Sequence, residues 1–355
     1  MRVGILTSGG DCQALNATMR GLALTLYRNV KDVEIIGFID GYKGLMYEKY
    51  KKMKPKDFYD ILNVGGSILG NSRCPFKRMR IIENGFDKVK AMKNTYKKLE
   101  LDCLVVLGGN GSIKSANMLS QEGLNVIALP KTIDNDAWGT DYTFGYSSAT
   151  AIATRYLDEI KTTAASHSRV FVIEVMGHKV GHICLSAGIA AGADVILLPE
   201  IPYDIKVVAK KVKETLKNEK NYAIIACAEG AISEADALMK RKDYKAKVLA
   251  RNDRSVAYEV ADELSQEIDA EIRVSCIGHA QRGGNPDSSD REISTRFGVE
   301  GARLIIKKHY GEYVVLQGNH VTHIPLEATA GKLKFVDTEG EIVQSAKLVG
   351  ISFGE

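Results

Sequence analysis

The sequence has 355 residues, of which 45% are hydrophobic and 26% are charged. This length exceeds one ordinary small domain, so two lobes are expected, and the composition is typical of a soluble protein with a full apolar core. Lysine and arginine number 48 against 44 aspartates and glutamates, a formal net charge of +4. Such a small excess supports neither a nucleic-acid nor a membrane partner, and neither is expected.

The cysteines and the apolar runs indicate a reducing, aqueous location. No two of the six cysteines have C-x-x-C spacing, and most lie in apolar runs, which favours reduced thiols over a zinc or disulfide site. Residue 2 is charged and residues 3–6 resemble a strand, so no signal peptide is expected. No apolar run reaches the ~18–20 residues of a membrane span. We therefore expect a cytoplasmic protein.

Short β-branched runs alternate along the chain with longer amphipathic ones. Strands are predicted at 3–6, 33–38, 103–107, 125–129, 169–175, 194–198, 222–227, 272–277 and 312–317. Helices are predicted at 14–27, 112–121, 147–161, 180–190, 204–218, 255–268 and 289–308. Near-continuous apolar strands, each followed by a helix, indicate an α/β protein with doubly wound parallel sheets. A solvated helix or surface insertion is expected for the basic segment 238–254.

Glycine or charged residues follow six of the predicted strands. The six stretches are TSGGD, GGNGS, PKTIDND, MGHKVG, AEG and GHAQRGG. In doubly wound sheets, ligands bind beyond the carboxyl ends of the strands. One or two such stretches would be ordinary turns, but six predict that a binding cleft lies at these strand ends.

Two of these stretches are glycine loops that lead from a strand into a helix, around Gly9-Gly10 and at 108–112. Glycine lets a phosphate approach the backbone, and the first N–H groups of the following helix point towards it. A tight strand–helix turn would use the same residues. Neither loop matches the P-loop or the G-x-G-x-x-G pattern, so a P-loop NTPase and a dinucleotide dehydrogenase are not supported.

Arginine and acid residues extend the same hypothesis. Guanidinium groups suited to bidentate phosphate binding are Arg73, Arg78, Arg169, Arg273 and Arg282. In PKTIDND, Asp134 and Asp136 are two residues apart, so one could accept a proton from an attacking hydroxyl while the other lies near Mg²⁺. Phosphoryl transfer requires positioning, charge neutralisation and a base. Surface ion pairs and an Asx turn are the alternative interpretations.

Taken in this order, the stretches resemble the 6-phosphofructokinase family over nearly the whole chain. TIDND with the following GTDYTFG, and the later GHAQRGG, are the most specific. The resemblance implies Mg²⁺-assisted transfer of a phosphoryl group, from ATP or pyrophosphate, to the C1 hydroxyl of fructose 6-phosphate, giving fructose 1,6-bisphosphate. It implies two similar three-layer α/β/α lobes with the active site in the cleft between them. Residues 1–145 with 281–331 would bind the donor, and 146–280 with 332–355 the sugar phosphate.

The resemblance also assigns roles to individual residues. Asp134 matches the catalytic base, with Thr132 beside it and Asp136 as the second acid. The donor side would comprise Gly10, Tyr42, Arg73, Cys74, Arg78, Gly109, Asn110, Gly111, Ser112 and Lys131. The substrate side would comprise Thr132, Asp134, Arg169, Met176, Gly177, His178, Glu229, Arg273, His279 and Arg282. Arg169 and Arg273 would reach the sugar phosphate from a neighbouring subunit, which implies a homo-oligomer, a dimer or tetramer.

The chain departs from the family pattern at three places. Asn110 replaces the aspartate of G-G-D-G, so the expected Mg²⁺ ligands are Asn110 and Asp136, the amide being the weaker. His178 stands where arginine is common. Gly111 is typical of ATP-using relatives, whereas Lys131 is typical of pyrophosphate-using ones.

ATP is the expected donor, because Gly111 leaves the nucleotide space open. Pyrophosphate as donor, and another acceptor such as sedoheptulose 7-phosphate, are the alternative activities. A non-catalytic sugar-phosphate or nucleotide sensor is the alternative from another class. Leu24 stands where regulated relatives place an arginine, so weak or altered allostery is also expected.

Overall fold

The computed structural model describes residues 1–218, 220–251, 254–329 and 331–355. The chain forms two compact units, the first from Met1–Ser148 with Arg282–Lys334 and the second from Ala149–Gln281 with Phe335–Glu355. The chain therefore passes between the units after residues 148, 281 and 334. The boundaries expected from the sequence were after residues 145, 280 and 331.

The strands are β1 (Arg2–Ser8), β2 (Glu34–Phe38), β3 (Tyr50–Met53), β4 (Cys103–Gly108), β5 (Val126–Pro130), β6 (Val170–Val175), β7 (Val195–Leu197), β8 (Ala223–Ala228), β9 (Ile272–Cys276), β10 (Glu312–Gln317) and β11 (His320–Pro325). The helices are α1 (Leu15–Asn29), α2 (Tyr42–Met46), α3 (Lys88–Lys98), α4 (Asn110–Gln121), α5 (Tyr146–His167), α6 (His182–Ala191), α7 (Ile205–Asn218), α8 (Glu234–Ala237), α9 (Arg241–Ala250), α10 (Val256–Ser265), α11 (Ser288–Ile306), α12 (Leu326–Thr329) and α13 (Glu341–Leu348).

The first unit is built on a seven-stranded sheet in the order β11-β10-β5-β4-β1-β2-β3. The five inner strands pair in parallel, while β3 and β11 close the two edges as antiparallel strands. Because the inner strands are buried on both faces, their sequences are continuous apolar runs such as CLVVL and VIAL. The carboxyl ends of the inner strands all point to the same side of the sheet, where the glycine loops follow β1 and β4.

Helices cover both faces of this sheet. On one face, Leu6 and Val106 form an apolar core with Ile113 of α4 and Met92 of α3. On the other face α1 packs against α11, and a Cβ added at Gly298 would lie only 2.3 Å from the Thr18 carbonyl oxygen. Glycine at this crossing lets the two helix backbones come into close contact. The first unit is therefore a three-layer α/β/α structure.

The second unit contains a four-stranded parallel sheet in the order β7-β8-β6-β9. Val172 and Ile225 on one face pack with Val212 of α7 and Val260 of α10. On the other face α6 approaches closely, since a Cβ at Gly188 would lie 2.7 Å from Ile196 Cδ1. The predicted fold class is confirmed, with parallel sheets enclosed by helices in each unit.

All nine predicted strands are present, and two edge strands, β3 and β11, were missed. Their sequences, YKKM and HVTHIP, lack the continuous apolar run of a buried parallel strand. The seven predicted helices are also present, whereas short or weakly apolar ones such as α2, α3 and α13 were missed. The basic segment 238–254 contains α9, a helix with no buried residue, while positions 252 and 253 fall outside the described residues.

All six cysteines are free thiols, and Cys12, Cys103, Cys184 and Cys227 are buried. Over the described ranges, no helix combines the length and the apolarity that a bilayer crossing needs.

Candidate active site

The two glycine loops of the first unit lie side by side. β1 and β4 are parallel neighbours with Ser8 opposite Gly108, so the residues that follow them emerge together. Gly9 has a φ of 89°, and a Cβ added there would lie 3.6 Å from Ser112 Oγ. The positive φ favours glycine at this turn, and the contact distance shows that the two loops lie against each other.

Helix α4 begins within the second loop, with Gly109 as its N-cap and Asn110 as its first residue. Gly111 is exposed, and a Cβ added there would meet nothing within 4 Å. The exposed first turn of a helix presents unsatisfied N–H groups and the positive end of the helix dipole. This loop therefore offers open space and a favourable potential for an anionic group.

Tyr42, expected on the donor side, supports this loop from the protein interior. Its side chain has no exposed surface, and its hydroxyl donates a hydrogen bond to the Ser112 carbonyl at 2.8 Å. Burial raises the pKa of Tyr42 well above its ordinary value. Apolar core residues surround this side chain, and its assignment to the donor side remains a prediction.

The segment that carries Arg73 is anchored beside the first glycine loop. The N–H of Gly9 donates to the Ser72 carbonyl at 3.1 Å, and Arg73 follows with an exposed side chain. Cys74 is half-buried against the core. Arg78 is exposed at the end of a short 3-10 segment, with its Nε 3.6 Å from Glu83. Arg73 is thus placed near the glycine turn, and Arg78 is partly engaged with an acid.

Lys131 lies beneath the first glycine turn. Only 3% of its surface is exposed, and its Nζ donates to the Gly10 carbonyl. A Cβ added at Gly9 would lie 3.4 Å from Nζ. Burial lowers the pKa of Lys131, and the neighbouring Arg282 lowers it further, while Asp134 raises it. Lys131 therefore acts mainly as an internal support of the Gly9-Gly10 turn.

The loop after β5 separates the two acids of the TIDND stretch. The N–H of Asp134 donates to Thr132 Oγ1 at 3.1 Å, and Thr143 Oγ1 donates to the Thr132 carbonyl at 2.8 Å. Asn135 has a φ of 53°, a left-handed conformation that asparagine tolerates well. The resulting turn leaves Asp134 half-buried and Asp136 only 8% exposed, so the two carboxylates have different surroundings.

Residues near the end of the first unit contact this loop. The N–H of Lys334 donates to the Asp136 carbonyl at 2.9 Å. Burial lowers the pKa of Lys334 to about 8, opposed by the negative charges of Asp141 and Asp136. Spacing in the sequence offered no signal for Lys334, because about two hundred residues separate it from the loop.

The expected Mg²⁺ ligands can be tested against their hydrogen bonds. Asn110 Nδ2 donates to the Lys332 carbonyl at 2.6 Å, so its Oδ1 is the atom that could ligate a metal. Amide and carboxylate oxygens such as those of Asn110 and Asp136 are of the kind that Mg²⁺ prefers. In the part of the chain that the structure describes, no cluster of three or more His, Cys, Asp or Glu side chains is arranged to hold a metal.

Arg282 belongs to the first unit and joins the first glycine loop. Its Nη1 donates to the Asp11 carbonyl at 3.0 Å, and a Cβ added at Gly10 would lie 2.8 Å from the same nitrogen. The absence of a side chain at Gly10 thus makes room for the guanidinium. His279, three residues earlier, is exposed and belongs to the second unit.

In the second unit, the loop after β6 is held by an acid that follows β8. Glu229 accepts hydrogen bonds from the N–H groups of Gly177, at 3.1 Å, and of His178. The N–H of Met176 donates to Gln281 Oε1 at 3.3 Å. Met176, Gly177, His178 and Glu229 therefore lie together at the carboxyl ends of β6 and β8.

Arg169 and Arg273 lie at the amino ends of the strands of the same sheet. Arg169 directly precedes β6 and Arg273 is near the beginning of β9. Both contact Glu271, with Arg169 Nε 2.8 Å from its Oε2. The structure therefore groups these two arginines with each other, and it separates them from the Met176–Glu229 cluster by the length of β6.

The first unit thus combines a helix N-terminus, two adjacent glycine loops and a loop with two acids at neighbouring carboxyl ends of parallel strands. This combination is typical of the phosphate-binding sites of α/β enzymes.

Comparison with known proteins identifies the family. The profile of the family Phosphofructokinase matches residues 2–305. An ATP-dependent 6-phosphofructokinase of Spirochaeta thermophila is 46% identical, with 99% of this chain and 97% of that protein covered. ATP-dependent 6-phosphofructokinase 3 of Bacteroides thetaiotaomicron is 42% identical over the whole of both chains. The chain belongs to the phosphofructokinase family, and its predicted class, a phosphotransferase enzyme, is confirmed.

A solved structure agrees with the fold. The pyrophosphate-dependent phosphofructokinase of Nitrosospira multiformis superimposes with a TM-score of 0.82 and is 19% identical, with 99% of this chain and 92% of that one covered. At this identity the likeness concerns the fold alone.

Proposed function

We propose that this chain transfers the γ-phosphoryl group of ATP to the C1 hydroxyl of fructose 6-phosphate, giving fructose 1,6-bisphosphate, with Asp134 as the general base. The two similar proteins named above are ATP-dependent 6-phosphofructokinases, and the match extends over nearly the full length of each. The predicted family and activity class agree with those names.

The observation that carries the mechanism is the position of Asp134 beside the donor loop. Asp134 follows β5, and β5 is the parallel neighbour of β4, whose carboxyl end leads into the open Gly111 loop. A half-buried carboxylate at this point can accept the C1 hydroxyl proton as the oxygen attacks phosphorus. Such general-base assistance contributes ~10²–10⁴ in rate. The two loops supply the positioning that phosphoryl transfer requires.

ATP is the proposed donor because of Gly111 and Lys131. The space beside Gly111 is open, so an α-phosphate and nucleoside would meet no side chain there. Lys131, the residue typical of pyrophosphate-using relatives, is buried and bonded to the Gly10 carbonyl. Its contribution is therefore to hold the glycine turn rather than to replace the nucleotide. Gly10, Arg73, Gly109, Asn110 and Ser112 complete the proposed donor side, with Tyr42 behind them.

We expect Asn110 and Asp136 to hold Mg²⁺, directly or through water. When bound, the ion would neutralise negative charge on the donor phosphates. Asp136 is well suited to an indirect role, since it is 8% exposed and its charge acts on Lys334. Asn110 brings a single amide oxygen, so the donor phosphates would provide much of the coordination.

The proposed sugar-phosphate ligands fall into two groups. Met176, Gly177, His178 and Glu229 would contact the sugar, and His279 and Arg282 its phosphate. Arg169 and Arg273, at the amino ends of β6 and β9, would serve the site of another subunit in a homo-oligomer with shared sites. Both arginines remain bidentate donors suited to a phosphate.

The test is formation of fructose 1,6-bisphosphate from fructose 6-phosphate and Mg²⁺, with ATP and pyrophosphate assayed in parallel. Activity with ATP and a loss of ~10²–10⁴ in kcat for Asp134→Asn, with ATP affinity retained, would support the proposal. Asp243→Asn, on exposed α9, is the control and should retain wild-type activity. Activity with pyrophosphate alone would overturn the donor assignment, and an active Asp134→Asn enzyme would overturn the base.

A further inference from the structure

We propose that residues 331–334, here called the return segment, hold two loops in a fixed relative position, with Lys334 and Asn110 as the positioning residues. The two loops are the base loop, residues 134–141, and the donor loop, residues 108–112. This inference rests on the proposed function for its kinetic consequences. The return segment comes from the end of the first unit, far along the chain from both loops. It contacts each loop through hydrogen bonds that the family resemblance does not assign.

Lys334 holds the base loop at three backbone points. Its N–H donates to the Asp136 carbonyl at 2.9 Å, and its Nζ donates to the Thr140 and Asp141 carbonyls, both at 2.9 Å. Leu333 forms an isolated antiparallel bridge with Ala137. Lys334 therefore contacts both ends of the 136–141 stretch that follows Asp134, and it is half-buried there.

The other side of the same stretch is anchored by β10. The N–H of Asp141 donates to the Leu316 carbonyl at 2.8 Å, and Thr140 Oγ1 accepts from the N–H of Leu316 at 2.9 Å. The base loop is consequently clamped between a sheet strand and the return segment. Without the Nζ of Lys334, the Thr140 and Asp141 carbonyls each lose a donor, and the Asp141 carbonyl keeps the bond from Asn135 Nδ2 at 3.4 Å.

Asn110 connects the return segment to the donor loop. Its Nδ2 donates to the Lys332 carbonyl at 2.6 Å. An aspartate at this position would carry only acceptor oxygens, and one of them would face the carbonyl oxygen of Lys332. The asparagine that departs from the family's G-G-D-G pattern is therefore explained by a contact with the return segment.

The two contacts are only two residues apart along the return segment. A displacement of the segment would move the backbone of Asp136 and the first turn of α4 together. Phosphoryl transfer depends on the alignment of base, acceptor and donor, and a misplacement of about 1 Å can cost ~10² in rate. The return segment thus acts on kcat through geometry, without contacting the reacting atoms.

The kinetic test compares Lys334→Met with Lys334→Arg. We expect kcat with ATP and fructose 6-phosphate to fall ~10–100-fold in Lys334→Met, with both KM values changing much less, because alignment and not binding is lost. Lys334→Arg, which can donate to both carbonyls, should recover most of the rate. Lys307→Met, an exposed lysine at the end of α11, is the matched control. A Lys334→Met enzyme with wild-type kcat would overturn the proposal.

A second test does not depend on activity. Backbone hydrogen exchange should increase at 134–141 in Lys334→Met and also in Asn110→Ala, although position 110 lies on the other loop. Asn110→Asp should behave like Asn110→Ala, since it restores an acid but not the donor to Lys332. Increased exchange confined to 109–113 in the Asn110 variants would overturn the coupling. If the wild-type chain phosphorylated no sugar phosphate, the proposed function would fail while this measurement still decided the role of the return segment.

Discussion

The hydroxyl of Tyr42 donates a hydrogen bond to the backbone carbonyl of Ser112 at 2.8 Å, from a side chain with no exposed surface. Ser112 lies in the first turn of α4, next to the open position Gly111. A residue of the apolar core therefore helps to set the conformation of the donor loop. This hydrogen bond links the apolar core of the first unit to the exposed loop around Gly111.

Tyr42→Phe tests this connection. Loss of a buried hydrogen bond costs about 1 kcal/mol of unfolding free energy, which denaturant titration can measure. Because the loop is held less firmly, we expect KM for ATP to rise by up to about fivefold, with KM for fructose 6-phosphate unchanged. Tyr59→Phe, at an exposed position, should alter neither value. An unchanged KM for ATP together with the expected loss of stability would separate the core role from the donor loop.

Gly111→Asp tests the donor space. A Cβ at this position meets nothing within 4 Å, and φ is not in the left-handed region, so the fold should tolerate the substitution. The new carboxylate would occupy the space proposed for the α-phosphate and repel it. We expect ATP-dependent activity to fall ~100-fold or more, equivalent to about 3 kcal/mol of transition-state stabilisation. Gly111→Ala is the control and should lose far less; equal losses would point to backbone effects instead.

Glu271→Gln tests the proposed phosphate-binding role of the two arginines at the amino ends of β6 and β9. Glu271 contacts both Arg169 and Arg273, and the Arg169 hydrogen bond is the main cause of its lowered pKa. A sugar phosphate would compete with this carboxylate for both guanidinium groups. An exposed ion pair is weak, so KM for fructose 6-phosphate should fall by only about two- to fivefold.

Arg273→Ala should change the same constant in the opposite direction. Glu34→Gln, at an exposed position paired with Arg2, is a suitable control for the general effect of losing a surface acid. A KM that rises in Glu271→Gln would show that the carboxylate orients the arginines more than it competes with phosphate.

The lowered pKa of Lys334 predicts that the free energy of unfolding rises with pH. Its folded-state pKa is about 8, compared with an ordinary value of 10.5. Between these two values the unfolded chain binds the proton and the folded chain does not, so the free energy of unfolding rises with pH. Relative to Lys334→Met, wild-type stability should increase by up to about 3 kcal/mol from pH 8 to 10.5. A constant difference over this range would contradict the lowered pKa.

Much of the fold and the identity of the family could be predicted from the sequence. The inner strands of both sheets are buried on two faces, which requires continuous apolar runs that are easy to recognise. The edge strands β3 and β11 were missed because one side of each lacks a partner strand and their sequences carry no such run. The candidate site stretches could be picked out because glycine and charged residues recur at the carboxyl ends of the predicted strands.

Residue spacing alone could not show in which direction each of these side chains points. Tyr42, expected on the donor side, lies in the apolar core and donates to the Ser112 carbonyl, 70 positions along the chain. Lys131, expected on the same side, lies beneath Gly10 and donates to its carbonyl. In both cases a long-range packing contact determines whether a side chain faces the ligand or the core.

The sequence by itself determined the α/β class and the family, because local composition, strand–helix alternation and short motifs carry that information. Only the tertiary structure decided which residues act on one another. It brought Lys334 onto the base loop, Lys332 to Asn110, and Glu271 between two arginines. The reason is physical: a hydrogen bond between distant residues depends on chain crossings and burial, and these leave no periodic pattern in the sequence.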